Sequence, residues 1–404
     1  MAPASDSHSH PAGRAPGAFE AHPPDDIVDT SSGVTDAAHA KANSATIVLV
    51  TEGSGFLASH LILQLLAAGY AVRTTLDSLS QEDNVRKSLG IALTAAGADV
   101  DGYLARLHFF ASNLASDNGW ADAVRGCTYL HHALSGDAPK DGVLRMLRAA
   151  QETTVHRVIL TSSFATIGYG HPQESSRVFT EIEWSVDNNN SLPAYHRGLL
   201  QAERAAWEYV QGLPAGGERH GNKLQLTVLN PVGTYGPTLP GLPPPPASNA
   251  IQHLLDGTWS ALPDLHLGVV DVRDLADLHV RAMTASEETA SGQRFLAAAD
   301  GRPVSLSSIA MAIRKERPAL AKARKVPSIS VPNWVARAAS MVGGAGGSGG
   351  RNVSPLLGPA LVTNNEKAKD RLGWRPRPVF ETIMDTVDGG VAEESRMARE
   401  AGRH

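Results

Sequence analysis

Short apolar runs alternate with stretches of helical periodicity through the first half of the chain. The first run is Ala45–Thr51. Behind it, Leu57, Leu61 and Leu65 recur at every fourth position, as on the buried face of a helix. Such alternation predicts an α/β fold, a doubly wound parallel sheet whose helices cover both faces. The further runs that predict strands are Tyr70–Leu76, Leu107–Ala111, Tyr129–Ala133, Arg157–Thr161 and Leu224–Leu229.

The composition narrows the class of protein. The 404 residues are 42% hydrophobic and 19% charged, with a formal net charge of −5, which is typical of a soluble globular protein. The negative charge and the lack of basic blocks argue against nucleic acid, and the apolar runs are too short to span a membrane. Cys127 is the only cysteine, so no intramolecular disulfide is expected and a cytoplasmic location is the default.

The turn after the first strand has the spacing of a phosphate-binding loop. Gly53, Gly55 and Ala58 form G-x-G-x-x-A between a strand and a helix, where backbone amides and a helix N-terminus favour a pyrophosphate. A tight turn that needs glycine only for its geometry is the alternative. About twenty residues later, Asp77 follows the second strand, where a carboxylate accepts hydrogen bonds from ribose and favours NAD over NADP. An exposed acid that caps the next helix is the alternative. Arg73, earlier in that strand, leaves NADP open.

Several motifs together resemble the extended short-chain dehydrogenase/reductases, in particular the dihydroflavonol-reductase-like and NAD-dependent epimerase/dehydratase members. The resemblance covers about residues 45–386 and implies a Rossmann-type sheet with a smaller C-terminal substrate-binding region. The motifs are TEGSGFLASHLILQLLAAGYAVRTTL, TSSFATIGYG, NPVGTYGP, VVDVRDLADLHVRAM and LGWRPRP.

Composition and the resemblance together divide the chain into regions. The expected regions are a disordered tail (1–44), a dinucleotide-binding domain (45–235, to which 265–285 return), a substrate-binding region (236–264 and 286–390, with a mobile glycine-rich insertion at 343–350) and a second tail (391–404).

The resemblance also implies a catalytic set of serine, tyrosine and lysine beside the nicotinamide. Ser163 matches the serine, with Ser162 as the fallback, and Tyr195 matches the tyrosine. Strand-end capping for the serine and simple burial for the tyrosine are the alternatives. The lysine position, four residues after Tyr195, is Leu199, and neither His196 nor Arg197 is an obvious substitute because both project from other helix faces.

The residues expected to hold the coenzyme lie at successive strand ends. They are Gly53, Gly55, Phe56, Leu57, Asp77, Asn113, Leu114, Ala133 and Pro231. Two departures affect this set. Glu52 stands where the family has its first glycine and brings a negative charge near the pyrophosphate, and Asn113 replaces an aspartate. The crossover after Ser135 is also shorter than in the family, so a wall of the substrate pocket is expected to be incomplete.

The sequence therefore predicts an NAD(P)-dependent oxidoreductase that exchanges hydride with a small carbonyl or alcohol substrate, impaired by the missing lysine. A catalytically silent dinucleotide-binding sensor or scaffold is the first alternative, and a sugar-nucleotide epimerase or dehydratase the second. No metal is expected, because the adjacent His131 and His132 face opposite sides of a strand. The sequence does not indicate an oligomeric state.

Overall fold

The structure is a computed structural model that describes residues 43–133, 139–172, 177–214, 223–332, 334 and 360–401. The strands in chain order are β1 Ile47–Val50, β2 Ala71–Leu76, β3 Leu107–Ala111, β4 Tyr129–Ala133, β5 Arg157–Thr161, β6 Val178–Phe179, β7 Gln225–Pro231, β8 Gly233–Tyr235, β9 Leu262–Pro263, β10 His266–Leu267, β11 Val269–Asp271, β12 Gln293–Ala297, β13 Val304–Ser305, β14 Ser330–Val331 and β15 Val362–Thr363.

The α-helices follow the same order. They are α1 Phe56–Ala67, α2 Glu82–Ala95, α3 Val100–Leu104, α4 Trp120–Val124, α5 Pro139–Gln151, α6 Ala194–Gln211, α7 Asn249–Leu255, α8 Val272–Thr284, α9 Glu287–Ala290, α10 Leu306–Glu316, α11 Pro318–Ala323, α12 Glu366–Leu372 and α13 Val379–Ala401. Short 3-10 helices lie at Leu79–Gln81, Phe164–Thr166, Asn188–Asn190 and Pro246–Ser248.

Seven strands form one parallel sheet in the order β12-β7-β5-β4-β1-β2-β3. The chain starts in the middle of the sheet at β1, runs outward to β3, and then crosses back to β4 on the other side of β1. Ligands of such sheets bind where the order reverses, at the carboxyl ends of the strands. The predicted Rossmann-type sheet is confirmed, and all six strands predicted from apolar runs are present in it.

Two layers of helices cover the sheet, as the alternating burial of its strands requires. On one face, α1 packs against α8 over a core that includes Val48 and Val50. On the other face, α5 packs against α6 over a core that includes Leu49, Leu130 and Leu160. The residues of β1 thus alternate between the two cores, and neither face of the central strand is open to water.

The C-terminal region has its own hydrophobic core, to which α7, α10 and α13 contribute. Two boundaries differ from those expected. Residues 293–297, expected in the substrate-binding region, form the edge strand of the central sheet beside β7. Residues 391–401, expected to be a tail, continue α13. Thr386 and Glu393 of this helix accept hydrogen bonds from the amides of Gly236 and Gly241, in the proline-rich segment 236–246. Residues 1–42 and 343–350 lie outside the described residues.

The LGWRPRP motif is a packing element. The indole of Trp374 is fully buried and donates to the backbone oxygen of Asp274 at 2.8 Å. Asp271 caps α8 by accepting from the amide of Arg273 at 2.8 Å. These contacts join the C-terminal segment to the helix that covers β1. Within the part of the chain described, every helix is too short or too polar to cross a membrane.

Candidate active site

The turn between β1 and α1 leaves little room for a side chain at two glycine positions. A Cβ atom on Gly53 would lie 2.3 Å from Thr74 Oγ1, and one on Gly55 would lie 3.0 Å from the backbone oxygen of Glu52. The amide of Gly53 donates to the backbone oxygen of Thr75 at 2.9 Å, which ties the turn to β2. The turn is therefore a narrow backbone cradle at the centre of the sheet.

Phe56 and Leu57 form the first turn of α1 directly behind this cradle. The amides of a first helical turn have no intrahelical acceptor, and the helix dipole adds positive potential there. A 12-residue helix that starts at a glycine cradle is a suitable site for a pyrophosphate. The residues of this turn therefore fit a dinucleotide in backbone shape, and the helix N-terminus favours its negative charge.

Glu52 has a backbone conformation that favours glycine. Its φ is +56°, in the left-handed region, and its amide donates to Thr75 Oγ1 at 3.1 Å. The left-handed conformation costs a non-glycine residue roughly 1–2 kcal/mol. The turn has thus kept the conformation expected of a glycine while carrying a carboxylate.

Arg73 lies within β2, whereas Asp77 lies just after it, and the two residues have different surroundings. Asp77 is exposed just beyond the carboxyl end of the strand. The Arg73 guanidinium donates to three backbone oxygens, those of Asp122, Ala123 and Arg125, at the end of α4. Arg73 therefore secures a helix end in this structure.

Asn113 and Leu114 stabilise the segment after β3 through hydrogen bonds. The Asn113 side-chain oxygen accepts from the amide of Ala115 at 3.0 Å, and its backbone oxygen accepts from the Trp120 indole. The backbone oxygen of Leu114 accepts from Arg145 of α5. Both residues lie at the expected edge of the sheet, with the Asn113 amide already engaged in a local turn.

Ala133 and Pro231 complete the row of strand ends expected to face the coenzyme. Ala133 is the last residue of β4 and pairs with Thr161 of β5. Pro231 is the buried last residue of β7 and pairs with Ala297 of β12. The structure therefore places both residues at the carboxyl edge that carries the glycine cradle.

The two candidate serines have different roles. Ser162 is 7% exposed, and its hydroxyl donates to Glu203 Oε2 at 2.5 Å. The Ser163 oxygen accepts from the amide of Ala165 at 3.1 Å and caps the 3-10 helix Phe164–Thr166. No described residue accepts the hydroxyl hydrogen of Ser163. The Ser163 hydroxyl is therefore the one that can donate a hydrogen bond to a substrate, because the Ser162 hydroxyl already donates to Glu203 in the interior.

Glu203 stabilises the site from the protein interior, and it was not predicted from the sequence. Its side chain is fully buried on α6, and Oε2 accepts from Ser162, Thr166 and Asn230. Its other oxygen accepts from Arg294 of β12 at 2.7 Å. The sequence did contain a signal for Glu203. It is an acidic residue on the buried face of a helix, two turns after Tyr195, and a buried carboxylate needs hydrogen-bond or ion-pair partners.

Tyr195 lies in the first turn of α6, a helix that packs against the 3-10 helix capped by Ser163. The two expected catalytic residues are thus on adjacent elements. The Tyr195 side chain is 59% exposed, and partial desolvation raises the pKa of its hydroxyl.

Leu199, one turn after Tyr195, is 2% exposed and belongs to the same hydrophobic cluster as Leu160. Arg197 pairs with Asp187 at 2.8 Å. The ring of His196 packs 4.6 Å from that of Tyr169, and burial lowers its pKa. Neither residue therefore replaces the lysine cation.

The histidines of β4 face opposite sides of the sheet. His131 Nδ1 lies 3.0 Å from Nδ1 of His279 on α8. His132 Nδ1 lies 2.8 Å from Thr51 Oγ1 on the other face. The described residues contain no group of three side chains placed to ligate a metal ion.

Comparison with known protein families gives a match that covers the parallel sheet and its carboxyl edge. The family model described as "NAD dependent epimerase/dehydratase family" matches residues 48–298, more than half of the chain. The chain belongs to this family. The resemblance to extended short-chain dehydrogenase/reductases is confirmed, and the matched segment runs from β1 through β12, so it includes the cradle and both expected catalytic residues.

Several proteins to which the chain is similar are reductases by name. Cinnamoyl-CoA reductase CAD2 of Medicago truncatula is 26% identical over 364 residues, covering 86% of this chain and 96% of the relative. Dihydroflavonol 4-reductase of Zea mays is 28% identical over 312 residues, covering 72% and 80%. The yeast methylglyoxal/isovaleraldehyde reductase Gre2, solved in complex with NADPH, is 22% identical with a TM-score of 0.65, covering 87% and 100%. At that identity the structural likeness shows the fold.

Proposed function

We propose that this family member is an NAD(P)-dependent oxidoreductase that reduces a carbonyl, or oxidises a secondary alcohol, by hydride transfer. The observation that carries the proposal is the glycine cradle at the β1–α1 turn, which opens on the same sheet edge as Ser163 and Tyr195. The reductase names of the relatives support it. Small carbonyl compounds are the proposed substrates, and the cytoplasm is the proposed location.

Different residues along the carboxyl edge of the sheet bind different parts of the coenzyme. The amides of Phe56 and Leu57 hold the pyrophosphate, and Asp77 accepts hydrogen bonds from the adenosine ribose. Ala133 and Pro231 line the path toward Ser163. The coenzyme, when bound, supplies the hydride. Because Arg73 is engaged by the end of α4 and Asp77 is exposed at the ribose position, we propose NAD as the preferred coenzyme.

Ser163 and Tyr195 would handle the substrate oxygen. The Ser163 hydroxyl donates a hydrogen bond to the oxygen, and the Tyr195 hydroxyl gives it a proton during reduction. A lysine at position 199 would lower the tyrosine pKa, and Leu199 does not. The raised pKa of Tyr195 makes it a weaker acid, so slow turnover is expected.

A catalytically silent dinucleotide-binding protein is the second candidate, and Leu199 together with Glu52 favours it. Purified protein incubated with NADH or NADPH and a panel of aldehydes and ketones separates the two. We expect slow oxidation of NADH that is lost in Tyr195→Phe, with Tyr169→Phe as the matched control that retains it. Binding of NADH without turnover of any carbonyl would contradict the oxidoreductase and leave the silent protein.

A further inference from the structure

A network of buried polar side chains adjoins Ser163, and the proposed reaction does not use it. Its centre is the carboxylate of Glu203, which is fully buried on α6. The carboxylate contacts side chains from four other parts of the fold: Ser162 just after β5, Thr166 in the 3-10 helix, Asn230 in β7 and Arg294 in β12. All five side chains are less than a tenth exposed, so the network is held by its own hydrogen bonds and not by solvent.

The network holds the backbone of Ser163 in place. The Ser163 carbonyl oxygen accepts from the Thr166 amide at 3.0 Å and lies 2.8 Å from Thr166 Oγ1, which is also 2.7 Å from Glu203 Oε2. The Asn230 side-chain nitrogen lies 3.5 Å from the same carbonyl oxygen and donates to Glu203 Oε2 at 2.9 Å. On the preceding residue, the Ser162 hydroxyl donates to Glu203 Oε2 at 2.5 Å. One carboxylate oxygen thus contacts three groups that surround the Ser163 backbone.

The same carboxylate belongs to the helix that carries Tyr195. Glu203 follows Tyr195 by eight residues, which corresponds to about 12 Å along the helix axis. Because α6 is one continuous helix of 18 residues, contacts that fix the position of Glu203 also fix that of Tyr195. The Ser163 and Tyr195 hydroxyls therefore depend on one shared point of attachment.

The proposed reaction needs both hydroxyls within hydrogen-bonding reach of one substrate oxygen at the same time. A misplacement of about 1 Å in such an arrangement can lower the rate by about two orders of magnitude. We propose that Glu203 is a positioning residue for carbonyl reduction, which sets the Ser163 hydroxyl relative to the Tyr195 hydroxyl through its contacts with Ser162 and Thr166. The inference rests on the proposed function, since it assumes that reduction occurs at these two hydroxyls.

Two neutral substitutions test the network without breaking its ion pair. Ser162→Ala and Thr166→Val each remove one hydroxyl and leave Glu203 paired with Arg294, so both variants should fold. Thr166 is fully buried, so its hydroxyl does not reach a substrate. The readouts are kcat and KM for reduction of a fixed aldehyde by NADH, and the NADH dissociation constant from calorimetry. We expect kcat to fall roughly tenfold in each variant, with KM and NADH affinity unchanged, because the coenzyme cradle is not altered.

Glu203→Gln tests whether Ser162 acts through the carboxylate. Added to Glu203→Gln, the substitution Ser162→Ala should lower kcat no further, because both changes break the same contact. Losses that multiply in the double variant would mean that Ser162 acts on the substrate directly, and would overturn the inference. The two neutral variants decide the question even if Glu203→Gln does not fold.

Arg157→Met is the matched control, at the amino end of the strand that leads to Ser163. Arg157 is buried, and its guanidinium donates to three backbone oxygens at and just beyond the end of α8. This variant should lower the free energy of unfolding and leave kcat unchanged. Unchanged kcat in both neutral variants, or an equal fall in Arg157→Met, would overturn the inference while the proposed function stands. A native chain that binds NADH and reduces no carbonyl would overturn both.

Discussion

Leu199 is the residue at which the site differs most in chemistry from what the family implies. It fills a position in the α5–α6 core with an apolar side chain, and partial desolvation raises the pKa of the Tyr195 phenol one turn away. Glu52 is the second such residue, since it adds a carboxylate to the pyrophosphate turn. The two residues affect different steps, proton transfer and coenzyme binding, and can be tested separately.

Leu199→Lys should raise the rate of carbonyl reduction by roughly 10²-fold, the lower range for a positioned proton donor, because the ammonium lowers the pKa of Tyr195. The measurement is kcat with NADH and a fixed aldehyde across pH 6–9. Leu199→Met, of similar volume and without charge, is the control and should leave kcat unchanged. If Leu199→Lys still binds NADH and shows no rise, the assignment of Tyr195 is wrong.

Glu52→Gln and Glu52→Gly separate the charge of Glu52 from its backbone conformation. Both should tighten NADH binding, by about tenfold, because each removes a like charge near the pyrophosphate. Only Glu52→Gly should also raise the free energy of unfolding, by roughly 1 kcal/mol, because glycine adopts a positive φ without the steric penalty. NADH affinity that stays the same in both variants would show that the carboxylate points away from the coenzyme.

At the scale of elements, the link between α6 and the edge strand β12 determines how firmly the site is built. The carboxylate of Glu203 and the guanidinium of Arg294 meet at 2.7 Å in the interior, with exposures of 0% and 9%. Arg294 also donates to the backbone oxygens of Glu181 and Glu183. One buried pair thus ties α6, β12 and the segment after β6 together beneath Ser162.

Arg294→Met should lower the free energy of unfolding by about 3–5 kcal/mol, because it leaves the buried carboxylate of Glu203 without its cation. Urea denaturation at pH 7 measures the change. Arg197→Met is the matched control. It removes a pair with Asp187 that is partly exposed, so the expected loss is much smaller. Equal losses in the two variants would contradict the anchoring role of Glu203.

The same elements show how much the sequence could reveal. The apolar runs predicted six strands and their parallel arrangement, because each run is long enough to span the sheet and has a helical pattern behind it. The edge strand β12 was missed, since its five residues, Gln293–Ala297, begin with two polar residues and do not form an apolar run. The pairing of Glu203 with Arg294 could not be predicted, because the two residues are 91 positions apart in sequence and meet only in the folded chain.

At the scale of the whole molecule, buried histidines link stability to pH. Burial lowers the pKa of His60 and His132 to about 4 and that of His279 to about 3, and it lowers that of His131 well below its usual range. The unfolded chain therefore binds more protons than the folded chain between about pH 6.5 and pH 4. Asp274, whose pKa burial raises to about 7, acts in the opposite direction.

Stability should accordingly be highest above pH 6.5 and fall steadily as the pH drops toward 4, since four histidines oppose one carboxyl group. Each histidine with a folded pKa near 4 contributes about 3 kcal/mol to this loss. Urea denaturation at several pH values measures it. His60→Gln, which can keep a donor to the backbone oxygen of Pro237, should make the slope shallower by about one proton. An unchanged slope would contradict the buried, neutral state of His60.

The central claim concerns the β1–α1 turn, and titration calorimetry with NADH tests it most directly. The native chain should bind one NADH per chain, and Gly55→Val should show no measurable binding, because a side chain there meets the backbone oxygen of Glu52 at 3.0 Å and blocks the cradle. Ser80→Val, an exposed position beyond β2, should bind as the native chain does. If the native chain gives no heat of association with either NADH or NADPH, the sheet has the fold of its family without the coenzyme.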